Sequence, residues 1–321
     1  MKMNRSEILF LYDIMDANPN GDPLDENKPR LDEETEINIV TDVRLKRTIR
    51  DYLNEFEDEE IFVREKQSST GEGLQDAKTR ALDYLKEENF ETFDEAKEAL
   101  KNQILETCID VRLFGATIPL DVKIKSKKKT GSITLTGPVQ FRMGRSLHKV
   151  EIEHIRGTGA FASTDGKTQK TFREEYILPY SLIAFYGAIN ENAAKTTDMT
   201  DDDVEKLLKG IWNGTKNLIT RSKFGQTPRL LLQIEYSENN FFIGDLNNKI
   251  SLKHTIDDKK IRNINQVKLE YNKLKENLSK NKEKINKIRY KIDENFDTTE
   301  ESQNIIEVIK SLGIQTEEII I

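Results

Sequence analysis

The 321-residue chain holds one cysteine, Cys108, which excludes an internal disulfide and a cysteine-only zinc site and fits a reducing compartment. Its three histidines, His148, His154 and His254, lack metal-type spacing and have no obvious serine or cysteine partner, so structural or surface roles are expected. No G-x-x-x-x-G-K-[ST] loop occurs, and "GTGAFA" (157–162) ends in alanine where a dinucleotide loop has glycine. Long apolar runs are missing too. The apolar part of "MKMNRSEILFLYDIMD" is too short for a signal peptide's core. "ILPYSLIAFYGAI" (177–189) is broken by Pro179 and Gly187 and falls short of a bilayer. A cytoplasmic protein with no membrane span, no metal and no cofactor is expected.

What the chain does have is charge. Charged residues make up 33% and hydrophobic residues 36%, enough to build a substantial core in one large domain or two. The net charge of −7 argues mildly against nucleic acid, but its distribution argues the other way. Residues 54–110 carry 17 acids against 7 bases, and 293–321 carry 8 against 1. By contrast, 120–149 has 8 bases against 1 acid, and 251–292 has 13 against 5.

"EILFLYDIM" (7–15) reads as a buried strand, ended by the turn chemistry of "DANPNGDP". Thr41 or Asp42 then caps a helix, "VRLKRTIRDYL", with Leu45, Ile49, Tyr52 and Leu53 on one side and Lys46, Arg47 and Arg50 opposite, Arg44 at the edge. Residues 75–110 read as an acidic helical layer. "GSITLTGPVQFRM" (131–143) alternates like a strand broken at Gly137-Pro138, after a basic turn, "SKKKTG". "HIRGTGAFASTDGKTQKTFREEY" (154–176) has too little apolar content for core and is placed as a projecting loop or ribbon. "TDDDVEKLLKGIWNGTKN" reads as a helix, and "PRLLLQIEYSENNFFIGDL" as two strands around a Glu-Asn-Asn turn. From 261 to 292, Ile264, Val267, Tyr271, Leu274, Leu278, Ile285, Ile288 and Ile292 follow three-four spacing, with Asn281 as a polar seam residue, which predicts one long basic helix. This order predicts an α+β sheet domain with decorations, best matched by a ferredoxin-like (RRM-type) platform.

Two stretches offer nucleic-acid chemistry. The helix bases Arg44, Lys46, Arg47 and Arg50 form either a phosphate track beside the polar loop residues Asn18 and Asn20 or a solvated face, with Arg47 pairing with Asp51 at i, i+4. The second stretch interleaves Arg142, Arg145, Lys149, Arg156, Lys167, Lys170 and Arg173 with Phe141, Met143, Phe161 and Phe172. Such interleaving offers charge to a single strand's backbone and platforms to its bases. Phe141 is assigned to the core, while for Phe161 and Phe172 stacking and anchoring to a neighbouring subunit both stay open. Asp13, Asp16, Asp22, Asp25 and Asp32 around the first loop could hold Mg²⁺ for phosphodiester cleavage, although acidic loops of this kind are common.

"LYDIMDANPNGDP", "TDVRLKRTIRDYL", "DVRLFGA", "LTGPVQF" and "TFREEYILPYSLIAFYGAINENAA", in this order from residue 7 to about 245, resemble the Cascade backbone subunit of CRISPR systems. This is the Cas seven family of the RAMP superfamily, and the likeness is nearest its subtype I-B branch. The resemblance implies a non-enzymatic, hand-shaped protein that binds the CRISPR guide RNA. It implies a palm (1–53, 111–149 and 174–260), a helical finger insertion (54–110), a β thumb (150–173) and a C-terminal helical region (261–321). It further implies partners: other copies in a head-to-tail filament, other Cascade subunits, and target DNA reached through the guide. Backbone contacts would fall on Lys46 with Arg50 one turn on, and the loop Asn18 to Gly21 would lie at the RNA-facing edge. The 261–292 segment matches no part of the family pattern.

Overall fold

"SEILFLYDIMDA" has apolar residues on both parities, the pattern of a strand covered on both faces. In the computed structural model it forms β1 (Ser6–Ala17), the buried centre of a ten-stranded sheet. The structure describes residues 3–68, 73–85, 90–162, 170–298 and 303–321, with the side chains of 158–162 and 170–173 outside the description.

After β1 come the short β2 (Gly21–Asp22), β3 (Lys28–Pro29), β4 (Leu31–Asp32) and β5 (Ile37–Val40), then α1 (Asp42–Phe56), α2 (Ala77–Leu82), α3 (Phe93–Thr107) and α4 (Ile109–Phe114). A hairpin, β6 (Gly115–Ile124) and β7 (Lys127–Thr136), leads to β8 (Val139–Phe141), β9 (Gly144–Lys149), β10 (Glu153–Ala162) and β11 (Lys170–Ile189). Then follow α5 (Glu191–Ala194), α6 (Asp201–Lys216), β12 (Thr227–Tyr236), β13 (Ser251–Lys253), β14 (Lys268–Glu270), α7 (Asn272–Lys280), β15 (Ile285–Ile292), α8 (Ile305–Ser311) and β16 (Thr316–Glu318). The main sheet runs β16-β15-β12-β1-β11-β9-β5-β4, with β8 and β10 also paired to β11. β1 lies antiparallel to both neighbours, Phe10 opposite Phe185 on one side and Leu231 on the other.

Parity on β1 sorts two cores. Ile8, Phe10, Tyr12 and Ile14 meet Leu45, Ile49 and Leu53 of α1 and Leu207, Leu208 and Ile211 of α6. Thr41 starts α1, its hydroxyl accepting from the Arg44 N–H at 3.2 Å, and Thr200 with Asp203 forms a capping box on α6. The helices approach closely because Gly214 has no side chain: a Cβ there would lie 3.0 Å from the Thr48 carbonyl oxygen. Leu9 and Leu11 face the other way, into a core shared with Leu246, Ile261, Leu269, Leu274, Leu278 and Ile309. A third core joins α2, α3 and the β6–β7 hairpin through Ala81, Leu100, Ile104, Ile118, Leu120 and Ile133. Among the described residues, no helix is long and apolar enough to cross a membrane.

Three expectations are corrected. The long helix over 261–292 does not form, and the C-terminal region mixes α7 and α8 with β14, β15 and β16. Asn281 terminates α7 instead of sitting in a helical seam. Ile288, Tyr290 and Ile292 alternate as a strand, pairing with Ile234, Leu232 and Leu230 on the open edge of β12. Completing that edge satisfies a row of backbone groups that a surface helix would leave open. Secondly, residues 241–245 form no strand. The buried Glu7 carboxylate accepts from the N–H groups of Ile243 and Gly244 and from the hydroxyls of Tyr186 and Tyr236, which holds the segment as a loop. Lastly, the basic "turn" is mostly strand: Lys127 to Lys129 belong to β7, and the reversal is at Lys125 and Ser126, both at positive φ.

His148 on β9 is buried, with Nδ1 on the Lys149 carbonyl at 2.8 Å and Nε2 taking the Leu182 N–H at 3.3 Å. Nδ1–H therefore donates and Nε2 accepts, a neutral ring. Burial, the largest influence, holds its pKa below the usual value. The unfolded chain then binds the proton more readily, so stability should fall as pH drops below about 6.5 and through the lower folded value. Unfolding titrations in that range should show a smaller slope for His148→Gln than for the parent; equal slopes would remove His148 as the cause.

Candidate nucleic-acid interface

The four bases of α1 are not equivalent. Arg50 is nearly buried; its Nε donates to Asp110 at 2.9 Å and its guanidinium lies 5.1 Å from the Phe114 ring centroid. Asp110, fully buried, also accepts from the N–H groups of Phe62 and Val63. Arg50 thus ties α1 to α4 and to the chain entering the helical insertion. Lys46 sits 3.2 Å from Asp42, donates to Gln140 at 3.1 Å and lies over Phe114. Arg47 pairs with Asp51 at 2.7 Å and, with 48% of its side chain exposed, is the most open of the four. An exposed pair of this kind opens at small cost, whereas separating Arg50 from Asp110 strands a buried charge.

Arg44 differs again. Nη2 donates to the Thr48 hydroxyl at 3.1 Å, Asp51 is 3.9 Å away, and Nε is buried without a hydrogen-bond partner among the described residues. Burial, the largest influence, lowers its pKa.

Two asparagines bring a second loop to this helix start. Asn20 Oδ1 accepts from both the backbone N–H and the hydroxyl of Thr41, at 2.9 and 2.8 Å, and so braces the α1 cap. Asn18 is buried, its side-chain amide donating to the Asn27 carbonyl at 2.7 Å and its backbone N–H to the Ser222 carbonyl at 2.8 Å. Among the described residues Asn18 Oδ1 has no hydrogen-bond partner. The loop 217–226 that reaches Asn18 carries Lys223, whose pKa is lowered first by burial and then by the charge of Arg44. Beside it Phe224 is 64% exposed, and Arg221 pairs with Glu175 at 2.7 Å on β11. Two half-buried cations that repel each other and an exposed ring are the set of groups a phosphate and a base would complete. Sequence reading passed over Lys223 and Phe224, although "RSKFG" (221–225) interleaves cation and aromatic just as the chosen stretches do.

Of the second stretch, Phe141 is buried in the core. Arg142 pairs with Asp245 and lies over Tyr186, 5.1 Å from its centroid. Met143 is 54% exposed and lines a cleft of about 500 Å³ with Arg30, Leu31, Ile39 and Ile152. Arg145 reaches Asp32 at 3.1 Å, and Arg156, largely exposed, reaches Glu174 at 3.3 Å. Lys167 lies outside the described residues. Phe161, Lys170 and Phe172 fall on the antiparallel β10–β11 ribbon, where Phe172 pairs with Thr158 and Lys170 with Ala162, but their side chains lie outside the description. The ribbon's foot is tied to the first loop by Tyr176, whose hydroxyl donates to Glu26 at 2.8 Å.

Four of the five loop acids, Asp13, Asp22, Asp25 and Asp32, face cations. Asp13 meets Arg229 at 2.9 Å and Tyr180 at 2.8 Å, and burial pushes its carboxyl above the ordinary range against the pull of Arg229. Asp22 meets Arg30, Asp25 meets Lys28 and Asp32 meets Arg145. Among the described residues no group of three or more His, Cys, Asp or Glu converges as a metal site would require.

Residues 4–272 match the family described as "CRISPR-associated protein Cas7". A CRISPR-associated protein Cas7 from Haloferax volcanii is 33% identical over 293 residues, covering 86% of this chain and 83% of the relative. Two solved chains share the fold at low identity. One, from a "CRISPR RNA-guided surveillance complex, pre-nicking", has a TM-score of 0.57 at 10% identity, covering 98% of this chain and 96% of its own. Another, from a "CRISPR RNA-guided surveillance complex", has a TM-score of 0.52 at 12% identity, covering 96% and 98%. With more than three quarters of its length matched to the family and a relative one-third identical, this chain belongs to the Cas7 family.

Proposed function

We propose that this chain is the guide-RNA-binding backbone subunit of a type I-B CRISPR surveillance complex. It acts by binding alone, lines up head-to-tail with further copies and with other Cascade subunits, and presents the guide for pairing with target DNA in antiviral defence, in the cytoplasm. The observation that carries this reading is the pair of half-buried cations Arg44 and Lys223 at the start of α1, with the exposed Phe224 beside them. Support comes also from the relatives, one named CRISPR-associated protein Cas7 and others described as parts of CRISPR RNA-guided surveillance complexes.

On this reading the β12-β1-β11-β9 order, with α1 and α6 on one face, is a ferredoxin-like palm; 54–110 is the finger and 150–173 the thumb. Arg44 and Lys223 neutralise backbone phosphate, and Lys46 and Arg47 extend the track as their ion pairs open. Arg50 positions the helix. Asn18 and Asn20 shape the loop, and Arg142, Met143, Arg145 and Arg156 carry the track toward the ribbon, where Phe161, Lys167, Lys170 and Phe172 lie in the sequence.

The test is to mix the chain with a labelled single-stranded RNA longer than one footprint, with duplex DNA as competitor, with and without Mg²⁺. Expected are RNA-preferring binding that strengthens as salt falls, assemblies that dissolve on nuclease treatment, and intact RNA. RNA shortened only with Mg²⁺ would replace this reading with a metal-dependent RNA endonuclease. Oligomers that persist in nuclease and high salt would replace it with RNA-independent assembly.

A further inference from the structure

Lys223 lacks the carboxylate partner that other lysines of this chain have. Lys28 reaches Asp25 at 2.7 Å, Lys206 reaches Asp202 and Glu59 at 2.8 and 2.6 Å, and Lys259 reaches Glu36 at 2.5 Å. Those contacts raise the pKa of each. Among the described residues no carboxylate stands within ion-pair distance of Lys223, and the charged group it faces is Arg44 of α1. Its Nζ donates to the neutral Ser222 hydroxyl at 3.2 Å. Burial first, and the Arg44 charge second, hold its pKa below the usual lysine range.

The amine stands on a braced turn. The Lys223 N–H donates to the Thr220 carbonyl at 3.1 Å, and the Asn18 N–H donates to the Ser222 carbonyl at 2.8 Å. Arg221, the other cation of the turn, is directed at Glu175, 2.7 Å away. The Lys223 side chain is half-buried, so part of it stays open to solvent. An ammonium group has no lone pair, and the nucleophile is the neutral amine. A lysine desolvated beside a second cation is the kind that reaches its neutral form most readily near neutral pH. The neighbouring guanidinium also attracts an anionic reagent.

We propose that Lys223 is an N-acylation site for small acyl phosphates, and that its acylation removes a phosphate contact from the start of α1. In this step the neutral Nζ attacks the acyl carbonyl and a C–N bond forms. The C–O bond to phosphate breaks with its electron pair. The proton lost by nitrogen leaves on the phosphate, giving an amide and hydrogen phosphate. The anionic phosphoryl group is drawn to Arg44, which favours an acyl phosphate over a neutral acyl thioester. The acylated side chain has lost its charge and no longer neutralises backbone phosphate. The effect on RNA rests on the reading above; the reactivity of Lys223 does not.

The experiment treats the full chain with acetyl phosphate or with the neutral thioester S-acetyl-N-acetylcysteamine, and follows each lysine by peptide mass spectrometry. Lys125 and Lys129, both exposed on the β6–β7 hairpin, are the references. Expected with acetyl phosphate at about pH 7.5 is reaction at Lys223 at least about fivefold faster than at either reference, with a smaller preference for the thioester. Bound single-stranded RNA should slow Lys223 by about fivefold or more, and the acylated chain should show an RNA salt slope shallower by about 0.7. Lys223 reacting no faster than the references would overturn the site, and an equal preference with both donors would overturn the acyl phosphate as its reagent. Fast acylation that leaves RNA affinity and slope unchanged would overturn the effect on binding. A parent chain that binds no RNA would instead overturn the guide-binding reading, while the relative rates still decide the acylation site.

Discussion

Replacing Arg50 with alanine is expected to destabilise the chain by about 3–5 kcal/mol, the cost of leaving a buried carboxylate without its cation. Asp110 is fully buried and holds Arg50 at 2.9 Å, together with the N–H groups of Phe62 and Val63. Those two N–H bonds would remain but would not balance the charge. Lysine is a poor substitute, since its single ammonium lacks the planar fork and broad face with which Arg50 also covers Phe114. The check is a denaturant titration of Arg50→Ala, Asp110→Ala and the double variant. A coupling energy of a few kcal/mol between the two sites is expected, because either change alone strands the other group. Additive losses under about 1 kcal/mol each would show that the pair is an ordinary surface bridge.

The second large effect concerns Lys223 and Phe224, and the two should leave different signatures on single-stranded RNA binding. Lys223→Gln removes one phosphate contact, so the log–log salt slope should become shallower by about 0.7, with affinity lost mostly at low salt. Phe224→Ala removes a stacking platform, so affinity should fall by about 1–3 kcal/mol at every salt concentration and the slope should stay put. Phe224 is 64% exposed, so its truncation leaves the core intact. Lys223→Arg should keep the slope. RNA affinity unchanged by both Lys223→Gln and Phe224→Ala would take loop 217–226 out of the interface.

The elements that were legible in the sequence are those whose cause is local. β1 announced itself by an apolar run on both parities, α1 by Thr41 and a one-sided apolar arc, and the strand break by Gly137-Pro138. Elements whose cause is remote were not legible. Ile285, Ile288 and Ile292 carry a three-four spacing that suits a helix, while Ile288, Tyr290 and Ile292 suit a strand equally well; the open edge of β12 decided between them. Nothing local marks Glu7 as a buried acceptor, for its four donors come from residues 179 to 237 positions away.

The interface follows the same rule. That Lys46, Arg47 and Arg50 share an arc could be read from spacing, but Arg50's partner lies 60 residues on and Lys46's contact Gln140 lies 94 on. Spacing names a partner one turn away, as for Arg47 and Asp51, and says nothing about the partners that distant segments supply. Loop 217–226 was missed for a different reason. Its signal is short, and the Asn18–Ser222 hydrogen bond, which no local pattern announces, brings it to the start of α1.

The most direct test of the central claim, that RNA backbone lies across the start of α1 and loop 217–226, is photo-crosslinking with the crosslinked peptides identified by mass spectrometry. The probe is single-stranded RNA carrying 4-thiouridine, bound to the full chain. Crosslinks concentrated in 217–226 and 41–47, with more along 142–156, are the predicted result. Crosslinks confined to the tip of the β6–β7 hairpin at 123–129 or to the C-terminal layer beyond 246, with none in loop 217–226, would contradict it.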